Sequence, residues 1–296
     1  MSLKISAGII VLNGEFFLKQ VLEAIYPHVQ KICIAEGAVT YWQDKGVKSS
    51  TDGTIEIIKS FPDPKNKIIL TQGQYSEKDD QCRTWFKHIP NDTDYVFSID
   101  ADEIHYEWAF ERLIKFLEKE QPTSLGFKSD SFFGGFDRII SGFERDYSFK
   151  RILKYIPDCQ YLTHRLPTLS INGQPIQGKD ITGNQLYEAT GITMWHGTSI
   201  SPKQVYEKIN YYHDSVAKNN IIDNYFRDVW LAWVLNPDKR QEIERENDGV
   251  QEFKKTARGD AFTIPFTGEH PLVIQKYMPE LIEKFNKQLN EYKNKA

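Results

Sequence analysis

The residues with the most chemical potential in this 296-residue chain are Asp100, Ala101 and Asp102, which close the apolar run Tyr95-Val96-Phe97-Ser98-Ile99. In an extended chain residues i and i+2 face the same side, with Cα atoms about 6.5 to 7 Å apart. Both carboxylates can then address one ligand. Two neighbouring anions are unfavourable unless a positive charge joins them. A diphosphate would add more negative charge, whereas a divalent cation between carboxylate and diphosphate relieves both. Hard oxygen donors suit Mg2+ or Mn2+, and such an ion would neutralise charge on a departing diphosphate. A bare Asp-x-Asp triplet is also common in solvated acidic turns. Its place directly after a buried strand sets this one apart.

The elements that must position this triplet are legible in the first half of the chain. Lys4 to Leu12, Val29 to Ala35, Lys67 to Leu70 and Tyr95 to Ile99 read as strands. Between them, Glu15 to Tyr26, Thr54 to Ser60 and Glu77 to His88 read as helices, the first with Phe16, Phe17, Val21, Leu22 and Ile25 on one side. Pro27 ends that helix. The alternation predicts a mostly parallel sheet covered by helices. Such sheets bind ligands at the carboxyl ends of their strands, which directs attention to Asn13, Glu36, Thr71 to Tyr75, and Asp100 to Glu103. Tyr106 to Glu120 carries one apolar stripe and reads as a helix stopped by Pro122. From 124 to 197, dense aromatics and recurrent Gly predict short strands and long loops. Pro202 to Asn219, Ile222 to Leu235 and Pro271 to Lys293 read as helices. The expected organisation is an α/β domain over 1–200 and a helical C-terminal segment over 201–296.

Composition narrows the function classes. A hydrophobic share of 40% supports a sizeable core, and a formal charge of −4 implies no basic face for nucleic acid. Met1 to Leu12 is interrupted too early by Asn13-Gly14-Glu15 for a signal peptide. No apolar stretch reaches the roughly 18 residues of a membrane helix. Cys33, Cys82 and Cys159 are odd in number and irregularly spaced, which fits reduced thiols in a cytoplasmic protein. The sequon at Asn91 matters only in a secretory context.

Several segments together resemble the family 2 glycosyltransferases, which have the GT-A fold. Ile9-Ile10-Val11-Leu12-Asn13-Gly14-Glu15 resembles the family's opening strand and loop. Ser50-Thr51-Asp52-Gly53-Thr54 resembles its helix-opening segment, and Ser98 to Glu103 its acidic motif. The likeness runs over about 4–120, with weaker echoes to about 215. It implies a GT-A-type sheet and a divalent-metal-dependent, inverting transfer of sugar from a nucleotide-diphosphate donor, a UDP-sugar first of all, to a saccharide or other hydroxyl acceptor. Asp100, Ala101 and Asp102 would bind ribose and metal-diphosphate, with Asp102 on the metal. Glu36 stands where the family carries a base-contacting Asp. The insertion Val39 to Ser49 separates it from Ser50. Asn13 and Arg83 would also lie near the donor, Arg83 pairing with phosphate or with Asp100. Ser50 to Thr54 has an equal claim as a helix cap.

The same resemblance implies a histidine ligand from the later chain, and His196, in Trp195-His196-Gly197-Thr198, is the candidate. A packed, hydrogen-bonded histidine is the plainer alternative. An inverting transfer also needs a group to take the acceptor's proton. No acidic pair follows the triplet, because Arg165 stands beside His164 where relatives show Glu. Asp180 and Glu188 are the catalytic candidates, with Asp158 also open. His164 could contact the donor or simply pack. The aromatics Tyr211, Tyr212, Tyr225, Trp230 and Trp233 sit at helical spacings and read first as packing. Three other readings compete. A haloacid-dehalogenase phosphatase would carry its acidic pair on the first strand. A sugar nucleotidyltransferase would need a Gly-rich loop after that strand. A non-catalytic nucleotide- or carbohydrate-binding protein could keep the same fold.

Overall fold

A computed structural model describes residues 3–216, 224–249, 253, 255–256 and 259–294. In chain order the first elements are β1 (Ile5–Val11), α1 (Leu18–Ile25), β2 (Lys31–Glu36), α2 (Thr40–Gln43), α3 (Thr54–Ser60), β3 (Ile68–Gln72), α4 (Lys78–Phe86), β4 (Tyr95–Asp100), β5 (Glu103–His105) and α5 (Ala109–Glu120). There follow β6 (Ser124–Phe133), β7 (Arg138–Ile140), α6 (Phe143–Asp146), β8 (Phe149–Lys154), β9 (Gln160–Thr163), β10 (Thr168–Ile171), β11 (Gln174–Pro175), β12 (Asp180–Ile181), α7 (Gly183–Thr190) and β13 (Thr193–Ser199). The C-terminal part holds α8 (Pro202–Tyr211), α9 (Ala232–Leu235), α10 (Arg240–Glu246), β14 (Lys255–Thr256), β15 (Gly259–Asp260), β16 (Thr263–Pro265) and α11 (Leu272–Tyr292).

The chain divides into two compact units, one of residues 1–128 and 148–194, the other of 129–147 and 195–296. In the first unit, β3, β2, β1 and β4 lie side by side and parallel, as the alternating pattern predicts. Beyond β4 the sheet turns antiparallel, through β8 to the first residues of β6, which β12 joins in parallel. The expected mixed α/β sheet with helices on it is therefore present, with a parallel half that carries the motifs. Its central strands are buried along nearly their whole length, Ile5, Ala7, Ile9, Ile32, Ile34, Val96, Phe97 and Ile99 among them. Strands covered on both faces read as continuous apolar runs, which is why they were visible in the sequence.

Two close approaches seat α4 on this sheet. A side chain on Gly8 of β1 would lie 2.2 Å from the Trp85 ring, so only glycine lets that indole lie flat on the strand. At the other end of α4, Gln81 is buried and its Nε2 donates to the carbonyls of Ala35 (2.8 Å) and Gly37 (3.3 Å), at the carboxyl end of β2. The N-terminal turn of α4 is thereby held at the carboxyl rim of the parallel strands.

The second unit contains the end of β6, with β7 and β16 antiparallel beside it, and the helices α8 to α11. The predicted helix Pro202 to Asn219 is α8 followed by a π-helical stretch over Tyr212–Val216, and its last residues lie outside the described residues. The start of the predicted Ile222 to Leu235 helix lies outside them too. Its remainder is the π-helical Phe226–Leu231 and α9. Tyr225, Trp230 and Trp233 are buried in this unit's core with Phe133, Val229 and Ile243, which is the packing role expected of them. Trp230 Nε1 donates to the Ser199 carbonyl and Trp233 Nε1 to Glu244 Oε1, so both indole N–H groups are satisfied. The region over 124–197, where short strands and long loops were expected, opens with the ten-residue β6, and besides short strands and α6 it holds α7. That helix has a capping box between Thr182 and Gln185 and ends on Gly191 at φ +74.

Candidate active site

The carboxyl ends of the parallel strands meet in register. Ile10 pairs with Asp100, Val11 with Glu36, and Glu36 with Gln72. At about 4.8 Å between neighbouring strands, this rim collects Asn13, Glu36, Gln72 and Asp100 from four separate segments.

Glu36 is fully buried. Its Oε1 accepts the Ser50 N–H at 2.6 Å and its Oε2 accepts from Gln72 Nε2 at 3.0 Å. Asn13 takes φ +56, a conformation Asn tolerates better than most residues. Its N–H donates to Ser50 Oγ at 2.9 Å and its Oδ1 accepts the Thr51 N–H at 2.9 Å. Asp52 Oδ1 accepts the Thr54 N–H at 3.1 Å at the start of α3, and Gly53 N–H donates to Glu15 Oε2 at 3.1 Å. The N-cap position of α3 is Gly53, with no side-chain cap bond, so Asp52 serves the opening of α3 only through the Thr54 N–H, and the segment is also fastened to the tips of β1 and β2. The insertion is folded back by Gln43, whose Nε2 donates to the carbonyls of Ala38 and Tyr75, both at 2.8 Å.

The acidic triplet differs from the extended geometry that its spacing implied. Asp100 is the last residue of β4, and Ala101 and Asp102 form a turn before β5. The turn is set by Glu103, which is fully buried and whose Oε2 accepts the Asp100 N–H at 3.1 Å. A chain that reverses here cannot keep the alternation of a strand, so the two aspartates are presented by a turn. Ala101 packs toward the loop after β1: a side chain on Gly14 would lie 3.3 Å from its Cβ.

The cation beside Asp100 is a side chain of the protein. Arg151, from β8, donates through Nη2 to Asp100 Oδ2 at 2.7 Å and to Glu103 Oε1 at 2.5 Å, and through Nε to Glu103 Oε2 at 2.7 Å. Its side chain is 11% exposed, that of Glu103 0%, that of Asp100 49%. Burial alone would lower the guanidinium pKa, but the two carboxylates outweigh it and hold the group charged. Arg83 lies on α4 and, where pairing with Asp100 was one expectation, bonds Asp80 (2.5 Å) and the carbonyls of Tyr161 (3.4 Å) and Leu162 (3.2 Å). It ties α4 to β9.

Asp180 is placed far from the triplet. Its pairing with Ser124, that of Ser124 with Leu153 and that of Leu153 with Val96 bring it level with the start of β4. Asp100 ends the same strand, four residues or roughly 13 Å further along it. Asp180 Oδ1 accepts from Ser124 Oγ at 2.5 Å, a bond that holds β12 to the sheet. Glu188 is exposed on α7. His196 is buried in β13, in the second unit, with Nδ1 3.5 Å from Ser131 Oγ. Asp102 belongs to the first unit.

Two features of the rim were not read from sequence, whereas Gln72 falls in the strand end Thr71 to Tyr75 that was expected there. Arg151 carries no spacing signal. The second is a pair formed by Asp79 and His164, for which no pairing was expected. Asp79 Oδ1 accepts the His164 N–H at 2.7 Å and lies 2.5 Å from its Nδ1. Burial would raise the Asp79 pKa, but the bonds from His164 outweigh it and hold the carboxyl below its usual range. Burial lowers the His164 pKa from its ordinary value, against the opposing pull of Asp79 and, more weakly, of Asp100.

For the expected metal, the donor set fits in kind. Asp100 and Asp102 offer hard carboxylate oxygens on a turn, which suit Mg2+ or Mn2+ held jointly with a substrate phosphate. Among the described residues no group of three or more His, Cys, Asp or Glu is gathered as a metal cluster.

Residues 48–168, about two fifths of the chain, match the family model described as Glycosyl transferase family 2, the family that the sequence motifs resemble. The chain is also similar to the solved structure of S. aureus TarS 1–349 in complex with UDP, at 12% identity and a TM-score of 0.39, over 98% of this chain and 89% of that one. The same protein in complex with UDP-GlcNAc aligns at 12% identity and a TM-score of 0.37, over 98% and 90%. Against a longer S. aureus TarS structure the chain spans 44% of the length. No curated protein matches the chain.

Proposed function

We propose that this chain transfers a sugar from a nucleotide-diphosphate donor, a UDP-sugar in the first instance, to a saccharide or other hydroxyl acceptor, with inversion and with Mn2+ or Mg2+. The observation that carries the reading is the acidic turn Asp100–Asp102 on the ligand-binding rim of a parallel sheet, inside the segment that matches the family model. Asp100 and Asp102 would hold the ion, which when bound supplies positive charge to the diphosphate leaving group. The rest falls to the chain's own residues. Arg151 and Glu103 fix the turn before any ligand arrives, and Glu36 and Asn13 fix the loop beside it. Such pre-set geometry avoids reorganisation during the reaction.

Calorimetric titration with UDP and Mn2+ tests the proposal. Binding should require both components, and Asp102→Ala should abolish the metal-dependent part while circular dichroism stays unchanged. Undiminished binding in that variant removes Asp102 from the site. Phosphatase chemistry is separated by an aryl phosphate, which should not be hydrolysed.

A further inference from the structure

Of the acids expected to take the acceptor's proton, Asp180 lies level with the far end of β4 and Glu188 is exposed on α7, so neither is placed beside the acidic turn. The rim does contain an oriented imidazole. We propose that His164 is the catalytic base of the transfer and that Asp79 is its positioning residue, an inference that rests on the glycosyltransferase reading above.

Geometry carries it in three steps. First, Asp79 lies in the opening turn of α4, which Gln81 pins to the Ala35 and Gly37 carbonyls at the carboxyl end of β2. The dyad is therefore at the ligand end of the sheet. Second, β9 delivers His164 to that turn: Arg83 grips the Tyr161 and Leu162 carbonyls, and the Tyr161 hydroxyl meets Ser98 Oγ of β4 at 3.1 Å, two residues before Asp100. The charge of Asp100 reaches both the His164 ring and the Cys82 thiol one turn along α4. Third, an ionised Asp79 can only accept, so the proton on the bonded nitrogen of His164 is on Nδ1. Nε2 then carries the lone pair. The His164 side chain is 26% exposed and that of Asp79 18%, so the ring keeps access to a ligand while its orienting partner is mostly covered.

The step balances without a further reagent. The acceptor hydroxyl gives its proton to His164 Nε2 as its oxygen bonds to the anomeric carbon. The bond from that carbon to the diphosphate oxygen breaks, and its electron pair leaves with the nucleoside diphosphate. The imidazolium is stabilised by Asp79 and returns its proton to solvent. The charged groups facing the ring are Asp79 and Lys78 from α4 and Asp100 from β4, and its lowered pKa keeps it unprotonated at neutral pH.

The test uses the full chain with Mn2+, UDP for binding and UDP-GlcNAc for turnover, with water as acceptor and UDP release as the signal. His164→Gln should bind UDP like the unaltered protein, melt at the same temperature, and release UDP at least 100-fold more slowly. Asp79→Asn should keep UDP binding and shift the acid limb of the kcat profile to lower pH, because the carboxylate that raises the imidazole pKa is gone. A purely structural carboxylate would not move that limb. Turnover in His164→Gln within three-fold of the unaltered protein, with UDP still bound, overturns the dyad. Failure of the unaltered protein to bind UDP with Mn2+ overturns the donor-site reading instead.

Discussion

Removing Arg151 should be among the most damaging single changes in the first unit, and the damage should be recoverable. Its guanidinium is bracketed by Glu103, which has no exposure, and by Asp100, which is half exposed. At roughly 4 Å between charge centres and an effective dielectric of about 20, each attraction is ~4 kcal/mol before desolvation is subtracted. Desolvation of two buried ions takes back much of that, so the net worth of the pair is small. Breaking it is another matter. Arg151→Met leaves the Glu103 carboxylate buried without a counter-charge, at a cost of ~3–5 kcal/mol. Glu103→Gln should cost less, because Arg151 keeps Asp100 as partner. The double variant should recover at least ~2 kcal/mol of the sum, since no buried charge is stranded. The Asp100 share is discounted to ~1 kcal/mol or less for solvent screening. Urea titrations of the four proteins, followed by circular dichroism, give the cycle directly. Additivity within about 0.5 kcal/mol would refute the argument that burial of Glu103 makes Arg151 necessary.

Two further predictions concern the same unit. His105 is buried among Phe97, Phe110 and Phe127, its Nε2 has no partner among the described residues, and burial, with Arg151 nearby, pushes its pKa down to about 3. The unfolded chain takes up a proton near pH 6.5 that the folded chain refuses, so stability is full above that pH and is lost as pH falls toward 3. Between pH 7.5 and 5.5 the loss should be about 1.4 kcal/mol, and His105→Phe should remove that part of the slope in urea titrations at the two pH values. Gly37 takes φ +140, and a Cβ there would lie 1.8 Å from the Gly73 carbonyl oxygen. Gly37→Ala should therefore cost ~2 kcal/mol or more. Gly46→Ala, also at positive φ (+81) but with open space around it, should cost only about 1 kcal/mol. Equal losses in the two would dismiss the clash.

The parallel half of the sheet was legible because its signals are local. A strand covered on both faces must be apolar throughout, and a helix on that face must repeat its apolar residues every three or four positions. The acidic triplet was legible for the same reason, as was the Ser50–Thr54 segment that leads into α3. What the chain alone could not show was which distant group answers each charge. Arg151 meets Glu103 across 48 positions and His164 meets Asp79 across 85, and neither pairing has a spacing rule. Asp180 was one of several acids that the chain left open, and its pairing through Ser124 sets it level with the start of β4, away from Asp100. The aspartates' own geometry changed as well, because a buried Glu103 turns the chain where an extended strand was expected. Hydrophobic pattern dictates elements because burial acts on every residue of a segment. Polar contacts depend on where strands of opposite direction are inserted, and only the folded sheet decides that.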